Sequence, residues 1–283
     1  MNIRGDAMKP DGSNLDRKFA EGIGYLRRPG RSAAAPLVLL HGVGSNGGSF
    51  AALMQALPDG IDAIAWDAPG YGQSAPLDIE APSPRHYADA LAKFLDALKL
   101  STVALAGHSL GCLFAGSFAR HYPERVSTLA LFSPALGYGI VAGAPLPPGV
   151  QSRIDEIVEL GPKAFAKKRA PRLVGDPQAR LDIVAAVEQA MGSVNPPGYI
   201  QAVRALGAGQ LLADAASIRT PAIVAVGTRD LITPPANAHS LYAALANPAG
   251  IHEVPGAGHA MPQEEPVIAA QLLAQMITSP AHV

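Results

Sequence analysis

The stretch Val103-Ala104-Leu105-Ala106-Gly107-His108-Ser109-Leu110-Gly111 decides the fold class. Four apolar residues suited to a buried strand run straight into a Gly-x-Ser-x-Gly turn, and Leu113, Phe114, Ser117 and Phe118 continue beyond it at helical spacing. A serine hydroxyl is a poor nucleophile near neutral pH, so it needs exposure, a base and donors for the oxyanion that forms. A tight strand-to-helix turn pushes the Ser109 hydroxyl out of the chain. It also places the Leu110 N–H in the positive field of a helix N-terminus, while glycines at 107 and 111 allow close backbone approach.

Outward from this turn, short β-rich runs recur at 36–40, 61–66, 126–132, 222–226 and 251–254. Most are apolar almost throughout, the pattern of parallel strands covered on both faces. Between two of them Ser83 caps a helix, Pro84 suits its first turn, and Tyr87, Leu91, Phe94, Leu95 and Leu98 share one face. Repeated strand–helix–strand order predicts an α/β fold with a doubly wound, mostly parallel sheet, and ligands bound beyond the carboxyl ends of the strands.

The alternation stops at residues 134–213, which read as a helical cap inserted between core segments 20–133 and 214–283. A Gly/Pro-rich entry leads into helical patterns at 151–160 and 162–170. A third opens at Asp176-Pro177 and ends before Gly192, and a fourth opens at Asn195-Pro196 and ends near Gly207. The basic residues Lys163, Lys167, Lys168, Arg169 and Arg172 either bind a substrate carboxylate or lie on a solvated helix face, with Arg169 and Arg172 the candidates for an anchor.

The 283-residue chain is 48% hydrophobic and 16% charged, the latter below the roughly 25% usual for soluble domains, which excludes global disorder. Its 22 Lys+Arg and 23 Asp+Glu leave a net charge of −1, so no global field draws it to nucleic acid or an anionic membrane. The expected partner is a small molecule; oligomeric state is not readable from the sequence. The uncharged segment 100–119 has the length of a membrane span, but His108, Ser109 and glycines interrupt it. Residues 1–19 carry charges with no apolar run behind them and are expected to be disordered rather than a secretory signal. The single cysteine, Cys112, permits no internal disulfide and no cysteine-based zinc site, so a reducing cytoplasm is the expected location and Cys112 reads as a small buried residue.

With these segments in order, the chain resembles the α/β-hydrolase fold superfamily over nearly all of its length after residue 20. His41-Gly42-Val43-Gly44 matches the family's HG oxyanion motif, and Asp67-Ala68-Pro69-Gly70-Tyr71-Gly72-Gln73-Ser74 its D-x-P-G-x-G-x-S loop. GHSLG matches the nucleophile elbow, and Gly227-Thr228-Arg229-Asp230 and Gly256-Ala257-Gly258-His259 the acid and histidine segments. The resemblance implies a catalytic set of Ser109, Asp230 and His259, with oxyanion donors at the backbone N–H groups of Val43 and Leu110. The residues agree: Asp230 and His259 each follow a strand on the edge that carries Ser109, and the order Ser, Asp, His suits this fold. His239, His252 and Asp214 are weaker alternatives. His41 and Asp67 read as braces of their loops, and His108 occupies the elbow's variable position.

Serine at the elbow separates the chain from the dehalogenases and epoxide hydrolases that the fold also includes, which use aspartate there. The run HGVGSNGGSF is closer in style to 3-oxoadipate enol-lactonase-like members than to the meta-cleavage C–C hydrolases. The resemblance therefore implies a serine hydrolase acting on a small carboxylic ester or lactone. A C–C bond hydrolase acting on a diketone is the alternative, and a ligand-binding receptor on the same fold is the alternative of another class. No metal and no organic cofactor is implied.

Overall fold

The computed structural model describes residues 15–31, 34–141 and 143–278. Eight strands form one sheet in the order β1-β2-β4-β3-β5-β6-β7-β8. They are β1 (Asp16–Ala20), β2 (Ile23–Arg28), β3 (Leu37–Leu40), β4 (Ala63–Trp66), β5 (Val103–His108), β6 (Val126–Phe132), β7 (Ala222–Gly227) and β8 (Pro248–Val254). Strands β3 to β8 pair in parallel, and β1 and β2 add an antiparallel edge. All the parallel strands but the half-exposed edge strand β8 are largely buried on both faces, as their apolarity requires: Leu37, Leu39, Ala104, Ala106, Ala130 and Ala225 point into one layer, Val38, Leu40, Leu105, Leu131, Val224 and Val226 into the other.

The helices are α1 (Ala51–Ala56), α2 (Pro84–Ala97), α3 (Leu110–His121), α4 (Pro148–Arg169), α5 (Leu181–Gly192), α6 (Pro196–Ala208), α7 (Leu211–Ala215), α8 (Pro235–Ala244), α9 (Met261–Glu264) and α10 (Pro266–Thr278). α1 and α10 cover the first layer, α2, α3 and α8 the second. The Ser83 N–H donates to His86 Nδ1 at 3.0 Å at the start of α2. Tyr87 of α2 stacks on Phe114 of α3 with ring centroids 4.1 Å apart, locking the two crossover helices together.

Between β6 and β7 the chain leaves the sheet, and α5 and α6 each pack on α4 over the sheet's carboxyl edge. α4 is two helical pieces meeting at Gly161, whose φ of 73° and ψ of 162° leave the helical region just ahead of Pro162. Three expectations need correction. Helix α5 begins at Leu181 rather than at Asp176, because the Asp176 side chain accepts from the Ala179 N–H at 3.1 Å and holds a turn of its own. α7 lies across the expected 213/214 boundary and packs on α3.

The third correction concerns the expected disordered tail, of which residues 1–14 lie outside the described residues. Asp16–Ala20 is instead strand β1, joined to β2 through Glu21 and Gly22 at φ 49° and 72°. Both signs are positive, as a right-twisted two-residue hairpin requires. The charged sequence of β1 fits an exposed edge strand, and Arg17 anchors it by an ion pair with buried Asp67. Among the described residues no helix is long and apolar enough to cross a membrane.

Candidate active site

Four strand ends build the site. The sheet changes direction between β3 and β5, and the crevice at such a switch point is where a ligand can enter. Ser109 follows β5 at φ 55°, ψ −116°, a left-handed conformation that a serine adopts only under constraint. The constraint is visible in the flanking glycines. A Cβ on Gly107 would lie 2.4 Å from the Gly111 carbonyl oxygen, and one on Gly111 would lie 2.1 Å from the Leu40 oxygen. The Ser109 N–H donates to the Phe132 carbonyl at 2.9 Å, tying the turn to the end of β6.

The structure brings Ser109, His259 and Asp230 together, all buried. His259 Nε2 lies 3.0 Å from Ser109 Oγ, and His259 Nδ1 lies 2.9 Å from Asp230 Oδ2. A carboxylate only accepts, so Nδ1 carries the ring proton and the Nε2 lone pair faces the serine hydroxyl. Burial pushes the Asp230 carboxyl up, but the neighbouring His259 ring and its hydrogen bond, with the N–H groups of Thr233 and Ile232, hold it down at about 2. Those two N–H groups donate to Oδ1 at 2.9 and 2.8 Å. Asp230 therefore remains an anion beside the imidazole.

The remaining histidines and acids divide cleanly. His41 donates from Nδ1 to the Gly42 carbonyl at 2.9 Å and accepts the Ala68 N–H at Nε2 at 3.0 Å, joining the loops after β3 and β4. Asp67 accepts from the Gly47 N–H at 2.8 Å and pairs with Arg17. His108 donates from Nε2 to the His259 carbonyl at 2.8 Å, and burial and the His259 charge lower its pKa to about 3, so it stays neutral. Asp214 pairs with Arg120, and His239 pairs with Glu253 on the surface; His252 lies beside Gly250 in β8. None of these three faces Ser109. Cys112 is buried with its thiol raised chiefly by burial, a packing residue.

The N–H of Leu110 opens α3 and so has no partner within the helix, and the N–H of Val43 makes no backbone hydrogen bond among the described residues. Both residues line the cavity above Ser109. The loop bearing Val43 abuts the elbow closely: a Cβ on Gly42 would lie 2.9 Å from Ser109 Cβ. Two N–H groups without a backbone partner, on residues that line the cavity beside a hydroxyl, are the kind of donors that can hold an oxyanion.

The cavity has a volume of about 260 Å³, with Ser109 and His259 on its floor and Phe165, Met191, Tyr199 and Leu206 from the inserted helices forming its roof. Arg169 and Arg172 both line it, in different circumstances. Arg169 is held by Glu156 at 2.6 Å and lies over the Phe165 ring at 4.9 Å, whereas Arg172 is exposed. Sequence reading missed Thr233 and Arg153. The Thr233 hydroxyl lies 3.0 Å from Asp230 Oδ2 and 2.9 Å from the Ser133 carbonyl, and its position three residues after Asp230 is the signal of an aspartate-centred turn. Arg153 reaches the cavity from α4 and has no local signal at all. Among the described residues no group of three or more His, Cys, Asp or Glu is placed to hold a metal ion.

A family model described as "Serine aminopeptidase, S33" matches residues 31–266. The chain belongs to this family, within the α/β-hydrolase superfamily. This hydrolase is 31% identical over 230 residues to the pimeloyl-[acyl-carrier protein] methyl ester esterase of Chromobacterium violaceum, an alignment covering 79% of the chain and 87% of that protein. It is 30% identical over 206 residues to the (E)-2-((N-methylformamido)methylene)succinate hydrolase of Acinetobacter baylyi, covering 69% and 72%. Its fold superposes on the crystal structure of the enol-lactonase from Burkholderia xenovorans LB400 with a TM-score of 0.82 and 22% identity, covering 93% of the chain and all of that one.

Proposed function

We propose that the hydrolase cleaves a small carboxylic ester or lactone through an acyl-enzyme on Ser109. The observation that carries this reading is the unbroken chain of contacts Ser109–His259–Asp230 at the floor of a closed-over cavity. His259 Nε2 takes the hydroxyl proton as Ser109 Oγ attacks the carbonyl carbon. The new oxyanion accepts from the Val43 and Leu110 N–H groups, and the same proton returns to the departing alkoxide. Water then attacks the acyl-enzyme by the same route, releasing the acid and restoring Ser109. Asp230 keeps the Nδ1 proton in place throughout and stabilises the imidazolium. In a lactone the alkoxide remains attached to the acyl group, so a single ring-opened product leaves.

The named activities of the relatives, an esterase and a hydrolase, support this class of chemistry. The inserted helices 134–213 serve as the lid, excluding water from the donors and setting substrate choice. The cavity volume, about 260 Å³, lies below the roughly 300–1,000 Å³ of sites for drug-sized ligands and favours a small substrate. Treatment with a fluorophosphonate followed by peptide mass spectrometry should place the label on Ser109, and Ser109→Ala should lose on the order of 10⁴ to 10⁶ in kcat while staying folded. Label on another residue rejects the assignment. A single turnover with retained product, instead of steady release across a panel of esters and lactones, would identify a receptor.

A further inference from the structure

Every charged side chain that lines the cavity, apart from His259 and its titratable ring, is an arginine: Arg153, Arg169 and Arg172. Among the described residues no aspartate or glutamate lines it. A small apolar ester needs no such wall, and a cation would be repelled by it. The three guanidinium groups are not equivalent. Arg169 is already paired with Glu156 and packed on Phe165, so its charge is offset and its fork is occupied. Arg172 is exposed, where water and salt screen it.

Arg153 is different, because its Nε–H is buried and has no hydrogen-bond partner. Arg153 lines the cavity, and among the described residues no carboxylate forms an ion pair with it, so its charge is offset by no acid. Arg153 hydrogen-bonds the Tyr199 hydroxyl, and its charge and that of Arg169 counter the rise that burial imposes on that phenol. The Arg153 guanidinium thus belongs to a positively charged corner of the roof, with Tyr199 on the same cavity wall.

We propose that the substrate of this hydrolase carries a carboxylate in addition to the ester or lactone it presents to Ser109, and that Arg153 binds this carboxylate. The two terminal amino groups of a guanidinium offer parallel N–H groups, which match the two oxygens of a planar carboxylate. Arg172 adds long-range attraction at the rim, and Arg169 positions Phe165 and supports the field without taking the anion itself. The apolar wall formed by Leu136, Phe165, Met191, Leu206 and Ile232 receives the hydrocarbon between the two ends. The inference rests on the hydrolytic reading of the same cavity, but anion binding can be measured without turnover.

The test has two arms. In the first, binding of glutarate and of neutral dimethyl glutarate is measured by calorimetry on the wild-type protein and on Arg153→Gln and Arg169→Gln, with inorganic phosphate as a competitor and thermal unfolding as the check on folding. Glutarate should bind the wild type, and Arg153→Gln should weaken it about tenfold to a hundredfold, the range expected for losing hydrogen bonds to a charged group. Arg169→Gln should cost less, and phosphate should compete poorly. No glutarate binding by the wild type, equal binding by Arg153→Gln, or phosphate binding more tightly than glutarate would each overturn the proposal.

In the second arm, kcat/KM is compared for monomethyl and dimethyl glutarate. The anionic half-ester should be preferred by the wild type, and Arg153→Gln should lose that preference through a fall in kcat/KM at least about tenfold greater for the half-ester than for the diester. Parallel losses on both esters would reject a carboxylate-binding role. If neither ester is hydrolysed but glutarate binding still depends on Arg153, the ester-hydrolase reading fails and the anion site stands.

Discussion

The Gly258 N–H donates to Glu264 Oε1 at 2.8 Å, immediately before His259 in the chain. The other oxygen, Oε2, accepts the Gly175 N–H from the inserted segment at 2.9 Å, and the Ala260 N–H donates to the Leu173 carbonyl at 2.8 Å. Approach here is close enough that a Cβ on Gly258 would lie 2.4 Å from the Gly175 nitrogen. One buried carboxylate therefore clamps the loop that carries His259 to the segment inserted between β6 and β7. Burial raises the Glu264 carboxyl, and the two N–H donors act against that rise.

Glu264→Gln keeps the shape but supplies only one acceptor oxygen, leaving an amide group facing an N–H. The expected loss of stability is about 1–3 kcal/mol, with a fall in kcat because His259 is less firmly placed over Ser109. Urea unfolding and steady-state kinetics on the same preparation check this, and a variant unchanged in both would show that the clamp is dispensable.

Thr233 and Asp230 separate orientation from charge. Thr233→Val removes a hydroxyl that contacts Asp230 Oδ2 while leaving the two backbone donors on Oδ1, so kcat should fall by less than about tenfold. Asp230→Asn should cost far more, on the order of 10⁴, because an amide can donate to Nδ1 and so hold the ring in the wrong tautomer. Equal losses in the two variants would mean that the hydroxyl, not the charge, governs the imidazole.

Stability should fall as acid is added, beginning near pH 6.5. His108 is lowered from 6.5 to about 3, and His41 is also lowered, in both cases chiefly by burial. The unfolded chain therefore takes up these protons first. The stabilisation is complete above pH 6.5 and is lost as pH falls toward the folded-state values. His108 contributes a slope of about 1.4 kcal/mol per pH unit between pH 6.5 and about 3, and His41 acts in the same direction. His108→Gln, whose amide can still donate to the His259 carbonyl, should lower the slope of unfolding free energy against pH between 6 and 4 by about that amount. An unchanged slope would mean that His108 charges freely in the folded protein.

The elbow and the strand order around it were readable in the sequence because their causes are local or nearly so. A Gly-x-Ser-x-Gly turn between an apolar run and a helical pattern has few other conformations, and strands buried on both faces must be apolar throughout. Residues whose roles depend on distant partners left no such trace. Strand β1 is charged and gains its structure only by pairing with β2 and by the ion pair of Arg17 with Asp67, fifty residues away in the chain. Asp176 reads as the start of a helix until its side chain is seen to hold a separate turn. Arg153 and Arg169 are both basic residues on the inserted helices, and only their packing distinguishes them: Glu156 occupies one guanidinium and leaves the Nε of the other unmet. Glu264 likewise acquires its place from Gly175, 89 residues earlier. Local backbone chemistry and hydrophobic period determined the scaffold and the strand ends that bear Ser109, Asp230 and His259. Long-range contact alone decided which charges are neutralised, and so what the cavity is built to receive.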